Sequence, residues 1–189
     1  MVSVHGGVLT RPPILVLVLT GAFLLLVTSL LIGSFSEPDF PPYPLGATGD
    51  TLYTLDASNG DRWQRFHFAA HSVVDSGTWD IAFRRNHVIT APGIGALDLG
   101  AVRFDSVLEV PTDGYAQTAF AATGDSTNPA IGKWYSYSML SHLLTTRQHV
   151  YVIRTSENRY VKLQLLAYYC RDVGAACYTV RYKAARPRG

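Results

Sequence analysis

The residues best suited to chemistry lie in one aromatic stretch, Trp134-Tyr135-Ser136-Tyr137-Ser138-Met139-Leu140-Ser141-His142. A neutral imidazole such as His142 is a good ligand for zinc or iron, and a thioether such as Met139 is a soft axial donor to haem iron. Planar macrocycles also need flat apolar walls, which Trp134, Tyr135 and Tyr137 can supply. Ordinary packing of an aromatic segment accounts for the same residues. The other histidines point less clearly to a site. His67 falls inside a candidate strand, where a half-buried structural role is the default. His71 and His87 lie near strand ends, His149 opens a strand, and His5 precedes a long apolar run.

Catalytic constellations are missing from the sequence. It contains no HExxH, GxSxG, P-loop or dinucleotide-type GxGxxG pattern. Gly93-Ile94-Gly95 and Gly100 lie between strands with no following helix and read as a flexible connecting loop. Asp75, Asp80, Asp98 and Asp105 are scattered and form no paired-carboxylate signature. No enzyme is expected. A formal charge of +2 is too small to suggest nucleic acid as a partner. Much of the excess lies in the end of the chain, where a basic tail over 184–189 reads as solvated and frayed.

The two cysteines, Cys170 and Cys177, flank a Gly-containing turn between aromatic strand ends. A disulfide there closes a short hairpin loop. No third Cys or His lies nearby in sequence to make a metal site, and there is no CxxC redox motif.

Strands must position these groups. Thr51–Leu55, Trp63–Phe68 and Trp79–Phe83 are rich in aromatic and branched residues, and Trp79, Ile81 and Phe83 share one face by period-two alternation. Val102–Phe104 and Val107–Val110 follow. Three longer candidates are Val150–Thr155, Tyr160–Tyr169 and Cys177–Tyr182. The turn Ser156–Arg159 and the Cys170–Cys177 segment join this trio as successive hairpins, an antiparallel meander. Trp134–Thr145 holds the best helix signal of the region, yet its serines and Tyr-rich start argue for irregular structure. The fold class is all-β, an antiparallel sandwich or open barrel-like domain.

Ahead of this domain lies an uncharged stretch from Pro12 to Ser36, almost all Leu, Val, Ile, Ala and Phe between Ile14 and Ile32. A helix of about 20 such residues spans a hydrocarbon core of roughly 30 Å. Arg11 before it and Glu37 and Asp39 after it place residues 1–11 in the cytoplasm and the rest of the chain outside, in the periplasm or at the cell surface. The run over 12–36 is longer than the roughly 7–15 residues of a signal-peptide core, so it reads as an anchor. Ser34-Phe35-Ser36 is nonetheless a small-x-small triplet that a signal peptidase accepts, and cleavage there would release the domain. No Cys follows to carry a lipid. Four prolines within 37–45 favour a stiff extended stalk, with the domain itself over 46–183.

Two stretches carry a family resemblance. Trp79-Asp80-Ile81-Ala82-Phe83-Arg84-Arg85 with the Gly-rich Ala91–Gly100 resembles the strand and loop of the HmuY haem-binding family. Trp134–Tyr137 with His142, then Val150–Thr155 and Tyr160–Tyr169, resembles that family's carboxy-terminal half in the same order and at similar spacing. The likeness runs from about Leu52 to Tyr182. It implies an all-β domain, exported or in the cell envelope, that captures haem without catalysis and passes it to an uptake receptor. Iron in the family is held by two axial side chains, His in some members and Met in others. His142 and Met139 are the matching candidates here, with His71 and His87 outside them, while Arg84 and Arg85 are placed to meet haem propionates or a nearby Asp. The competing reading is a ligand-free β module that contacts another membrane protein of the envelope.

Overall fold

The computed structural model describes residues 13–49, 51–122 and 125–189. The expected cytoplasmic segment, with His5 and Arg11, lies outside the described residues. Two compact units emerge, one holding the apolar helix and Ser138–His142, the other the β body.

In the first unit, α1 covers Ile14–Ser34 and is apolar on every side. Pro13, extended at φ −60, sits at its amino end, where a missing N–H costs no hydrogen bond. Such a helix satisfies its backbone internally, which is what a bilayer demands. Its stretch Ile14–Gly33 is long and apolar enough to cross a membrane and has no residue buried against protein.

The β body contains β1 (Gly46–Thr48), β2 (Leu52–Asp56), β3 (Gln64–His67), β4 (Ser72–Val74), β5 (Ile81–Arg84), β6 (His87–Thr90) and β7 (Gly95–Asp98). It continues with β8 (Glu109–Val110), β9 (Ala116–Gln117), β10 (Tyr135–Tyr137), β11 (Leu144–Thr146), β12 (Val150–Arg154), β13 (Tyr160–Cys170) and β14 (Gly174–Pro187). One sheet runs β1-β2-β14-β13-β12-β7-β9, with β8 joined in parallel to β14. A four-stranded sheet runs β4-β3-β5-β6, and β10 pairs with β11 alone. The all-β expectation holds: every other pairing is antiparallel, and neither sheet closes into a barrel.

A single apolar core joins the two larger sheets. Phe66, Ile81, Phe83 and Val88 of the smaller sheet pack with Tyr151, Ile153, Leu163 and Tyr178 of the larger one. The rings of Phe83 and Tyr178 lie 4.8 Å apart, and those of Tyr53 and Phe66 also 4.8 Å, in the tilted and edge-on arrangements aromatic quadrupoles favour. Ile81 and Phe83 face this core as the alternation predicted, and Trp79 packs partly buried against it.

The β12–β13 hairpin forms where expected. Thr155 N donates to Arg159 O (2.7 Å), and Asn158 takes φ 57, a left-handed conformation that Asn tolerates. Cys170 and Cys177 are disulfide-bonded with Cα atoms 5.7 Å apart. By the chain-entropy argument this short bridge stabilises the fold by about 2–3 kcal/mol.

Four local expectations differ. Gly93–Gly100 is not simply a loop: Gly95–Asp98 is the inner strand β7, between β12 and β9. Gly95 is required there because a Cβ would fall 2.6 Å from Tyr115 Cβ. Val102–Phe104 forms no strand; a single 3-10 turn, Phe104–Ser106, starts there. Trp134–Thr145 is a hairpin rather than irregular chain. The basic tail stays in β14 as far as Pro187, because Arg186 N donates to Leu108 O (3.2 Å) and Arg188 N to Val110 O (2.8 Å).

Candidate functional site

The β10–β11 hairpin carries the predicted donors. Its register pairs Tyr135 with Thr146 and Tyr137 with Leu144, so the residues between 137 and 144 form its turn. Serine chemistry shapes that turn. His142 N donates to Ser138 O (2.9 Å), Ser141 N donates to Ser138 Oγ (3.2 Å), and His142 takes φ 56. Side-chain-to-backbone bonds of this kind hold a turn against continuing as strand or helix. Met139 is 72% exposed, and Leu140 and His142 are exposed with it. The hairpin is tied to the body through Leu144 N to Tyr169 OH (2.9 Å), and Arg147 N to Trp134 O (2.9 Å) extends the pairing of its own two arms.

Met139 and His142 thus share one exposed turn, but the expected aromatic walls separate. Trp134 is 1% exposed, its Nε1 donates to Asn86 O (3.0 Å), and rings of Tyr135, Tyr168 and Tyr178 surround it at 5.0–5.2 Å. It is a core residue, because its one polar atom finds a backbone carbonyl while the ring buries. Tyr135 is half-buried and its hydroxyl accepts from Asn86 Nδ2 (3.1 Å). Of the three aromatic residues only Tyr137 is exposed. Burial pushes the Tyr168 phenol up to about 12, and burial also raises Tyr178 well above its usual value. Both are neutral phenols near neutral pH.

The histidines of the β body each meet polar partners. His71 hydrogen-bonds Tyr182 OH through Nδ1 and Gly49 O through Nε2 (3.0 Å). His149 Nδ1 lies 2.9 Å from Asp98, and His87 Nε2 lies 3.4 Å from Asp125. His67 Nε2 is 4.0 Å from both Asp80 and Glu157. Arg84 reaches Asp125 (2.7 Å) and stacks over Trp63, so it takes the acidic partner rather than lying open. Among the described residues no group of three or more His, Cys, Asp or Glu could hold a bare metal ion. Haem asks for less, because its porphyrin already holds the iron and only axial donors come from protein. A solvent-facing turn with one imidazole and one thioether meets that requirement in donor chemistry.

Two functional-looking residues escape a reading of the sequence. Asp80 is fully buried, and its carboxylate accepts Phe68 N (2.9 Å), Ser156 N (2.8 Å) and Ser156 Oγ (2.8 Å), tying the residues just after β3 and just before β5 to the β12–β13 turn. It borders a cleft of about 330 Å³ lined also by Phe68, Val161, Tyr182, Glu157 and Arg159. Lys162 is only 4% exposed, near the start of β13. A lysine within a strand reads as a solvent-facing position, which hid its role; the charge itself was the available signal.

Comparison with known proteins places the chain. The family model described as HmuY protein matches residues 59–182. No curated protein matches. Among solved structures, a Bacteroides vulgatus protein described as HmuY-like and haem-binding superposes with a TM-score of 0.61 at 19% identity, covering 74% of this chain and 97% of that one. The apo HmuY analog of Tannerella forsythia gives 0.60 at 13% identity, covering 71% and 94%. A Bacteroides fragilis protein described as a lipoprotein gives 0.59 at 16% identity, covering 69% and 88%.

Proposed function

The chain belongs to the HmuY family, and from that premise we propose that its β body binds haem, catalyses no reaction, and is exported on a membrane-spanning α1. The observation that carries this reading is the family match over nearly the whole β body, together with a hairpin turn that exposes Met139 and His142. His142 or Met139 would hold the iron, with a second donor supplied from elsewhere. Of the three aromatic candidates, Tyr137 is the exposed one and would be available to a porphyrin. Bound haem would supply the iron that these side chains ligate. The protein's own part is to present the donor. The absence of catalytic motifs supports a capture-and-transfer role, with an envelope uptake receptor or another membrane protein as recipient.

α1 supports the tether by length and composition. With Glu37 and Asp39 following it, the charge asymmetry favours an extracytoplasmic β body. Full-length protein in detergent, titrated with hemin, should give a saturable Soret shift. His142→Ala or Met139→Ala should change the band position or weaken binding by about tenfold or more. If hemin gives no saturable shift, the reading fails; if it binds and neither substitution matters, the ligand assignment fails alone.

A further inference from the structure

The charge on Lys162 has a solvation problem that the haem reading does not use. β13 pairs Lys162 with Val152 on one side and Lys183 on the other. Its side chain rises from the face of the large sheet opposite the main core, where the segment between β7 and β9 folds over it. There Nζ donates to Phe104 O (2.7 Å) and Val107 O (2.8 Å), the two carbonyls that bracket the 3-10 turn, and sits 4.5 Å above the Phe104 ring. An ammonium has three N–H donors. The third has no acceptor among the described residues, and no carboxylate there lies within salt-bridge distance of Nζ. Burying a charge without a counter-ion is costly.

Lys162 also lines a groove of about 400 Å³, together with Lys183, Arg186, Asp105, Glu109 and Leu108. Asp105 is already neutralised by Arg181 at 2.6 Å. Of the charged lining, that leaves three cations against Glu109. The groove is therefore positive by about two charges, close to that of a phosphate monoester at neutral pH. Leu108, 71% exposed, gives one wall an apolar lip.

We infer that the groove between β8 and the carboxy-terminal half of β14 is a binding site for a phosphate group, whose oxygen accepts the third N–H of Lys162 while Lys183 and Arg186 hold its outer charge. The buried lysine is the specificity element, because a phosphate must enter the groove to reach it. The rim cations alone attract any anion. Free phosphate esters and phospholipid headgroups share this chemistry, and the apolar lip at Leu108 suits the second. Desolvation, with repulsion from Lys183 and Arg181 against attraction from Asp105, leaves the Lys162 pKa lowered, consistent with a cation lacking its counter-ion.

Inorganic phosphate and dihexanoyl phosphatidic acid, below its micelle concentration, are titrated separately into the full-length protein in neutral detergent. Binding is read by calorimetry and by the shift in Tm. Both should bind saturably, and tighter binding of the lipid would identify a headgroup site. Lys162→Met keeps the side-chain length and removes the charge; it should weaken phosphate at least tenfold while hemin binding stays unchanged. Arg186→Ala, on the exposed rim, should weaken it several-fold without touching the fold. The proposal is overturned if neither probe saturates, or if Lys162→Met binds phosphate as the parent does. It is equally overturned if chloride at the same ionic strength reproduces the Tm shift.

Discussion

Asp80 and Lys162 are both buried charges of the same β body, one just before β5 and one within β13, and they are solvated in opposite ways. Asp80 receives two backbone N–H groups and a serine hydroxyl from two different chain segments, so its carboxylate is enclosed by donors. Lys162 receives two carbonyls and a ring face, with one N–H left to a groove that other cations line. The first arrangement locks strands together and needs nothing from outside. The second is complete only when an anion enters. A buried charge surrounded by protein partners is an element of architecture, whereas one with a partner missing on its open side is a reason to look for a ligand.

The contrast can be broken most forcefully at Asp80. Asp80→Ala strands three donors, at least two of them on backbone, and should cost about 3–5 kcal/mol. Urea unfolding would measure it, and a loss below about 1 kcal/mol would erase the difference in kind between the two sites. Alkaline pH probes the second-largest effect. Above 10, the unfolded chain sheds phenolic protons that Tyr168 and Tyr178 keep when folded, so stability falls as pH rises. Lys162 works the other way. Between its lowered folded value and 10.5, the unfolded chain holds a proton the folded chain has released, and stability rises with pH. Urea midpoints across that range should show a rise that Lys162→Met abolishes, leaving only the tyrosine-driven fall. The smallest effect is expected from Lys162→Met at neutral pH without anion. Lost hydrogen bonds and relieved desolvation nearly offset, so unfolding free energy should move by less than about 1.5 kcal/mol. A loss as large as that of Asp80→Ala would make Lys162 a structural charge as well.

How much of this could be read from the residues varies with how local the cause is. The β12–β13–β14 meander was legible because apolar runs, the Ser156–Arg159 turn and the cysteine pair are all short-range signals. The inner strand β7 was not, because Gly95 looks like loop punctuation until Tyr115 crosses over it. The basic tail looked frayed because β8, its partner in the sheet, is two residues long and sits far away in sequence. At the candidate haem site, His142 and Met139 could be named from side-chain chemistry, and the serines pointed to a break. That Trp134 would vanish into the core depended on Tyr168 and Tyr178, residues no spacing rule connects to it.

By itself, the order of residues determined the apolar helix, the period-two strands, the disulfide hairpin and the family, because each depends on neighbours a few positions apart or on a pattern repeated along the chain. Only the folded arrangement decided which charges are sealed and which stay open. Asp80 meets Ser156 from 76 positions away, and Lys162 meets Phe104 from 58. Solvation of a buried charge is set by whatever the tertiary fold carries to it.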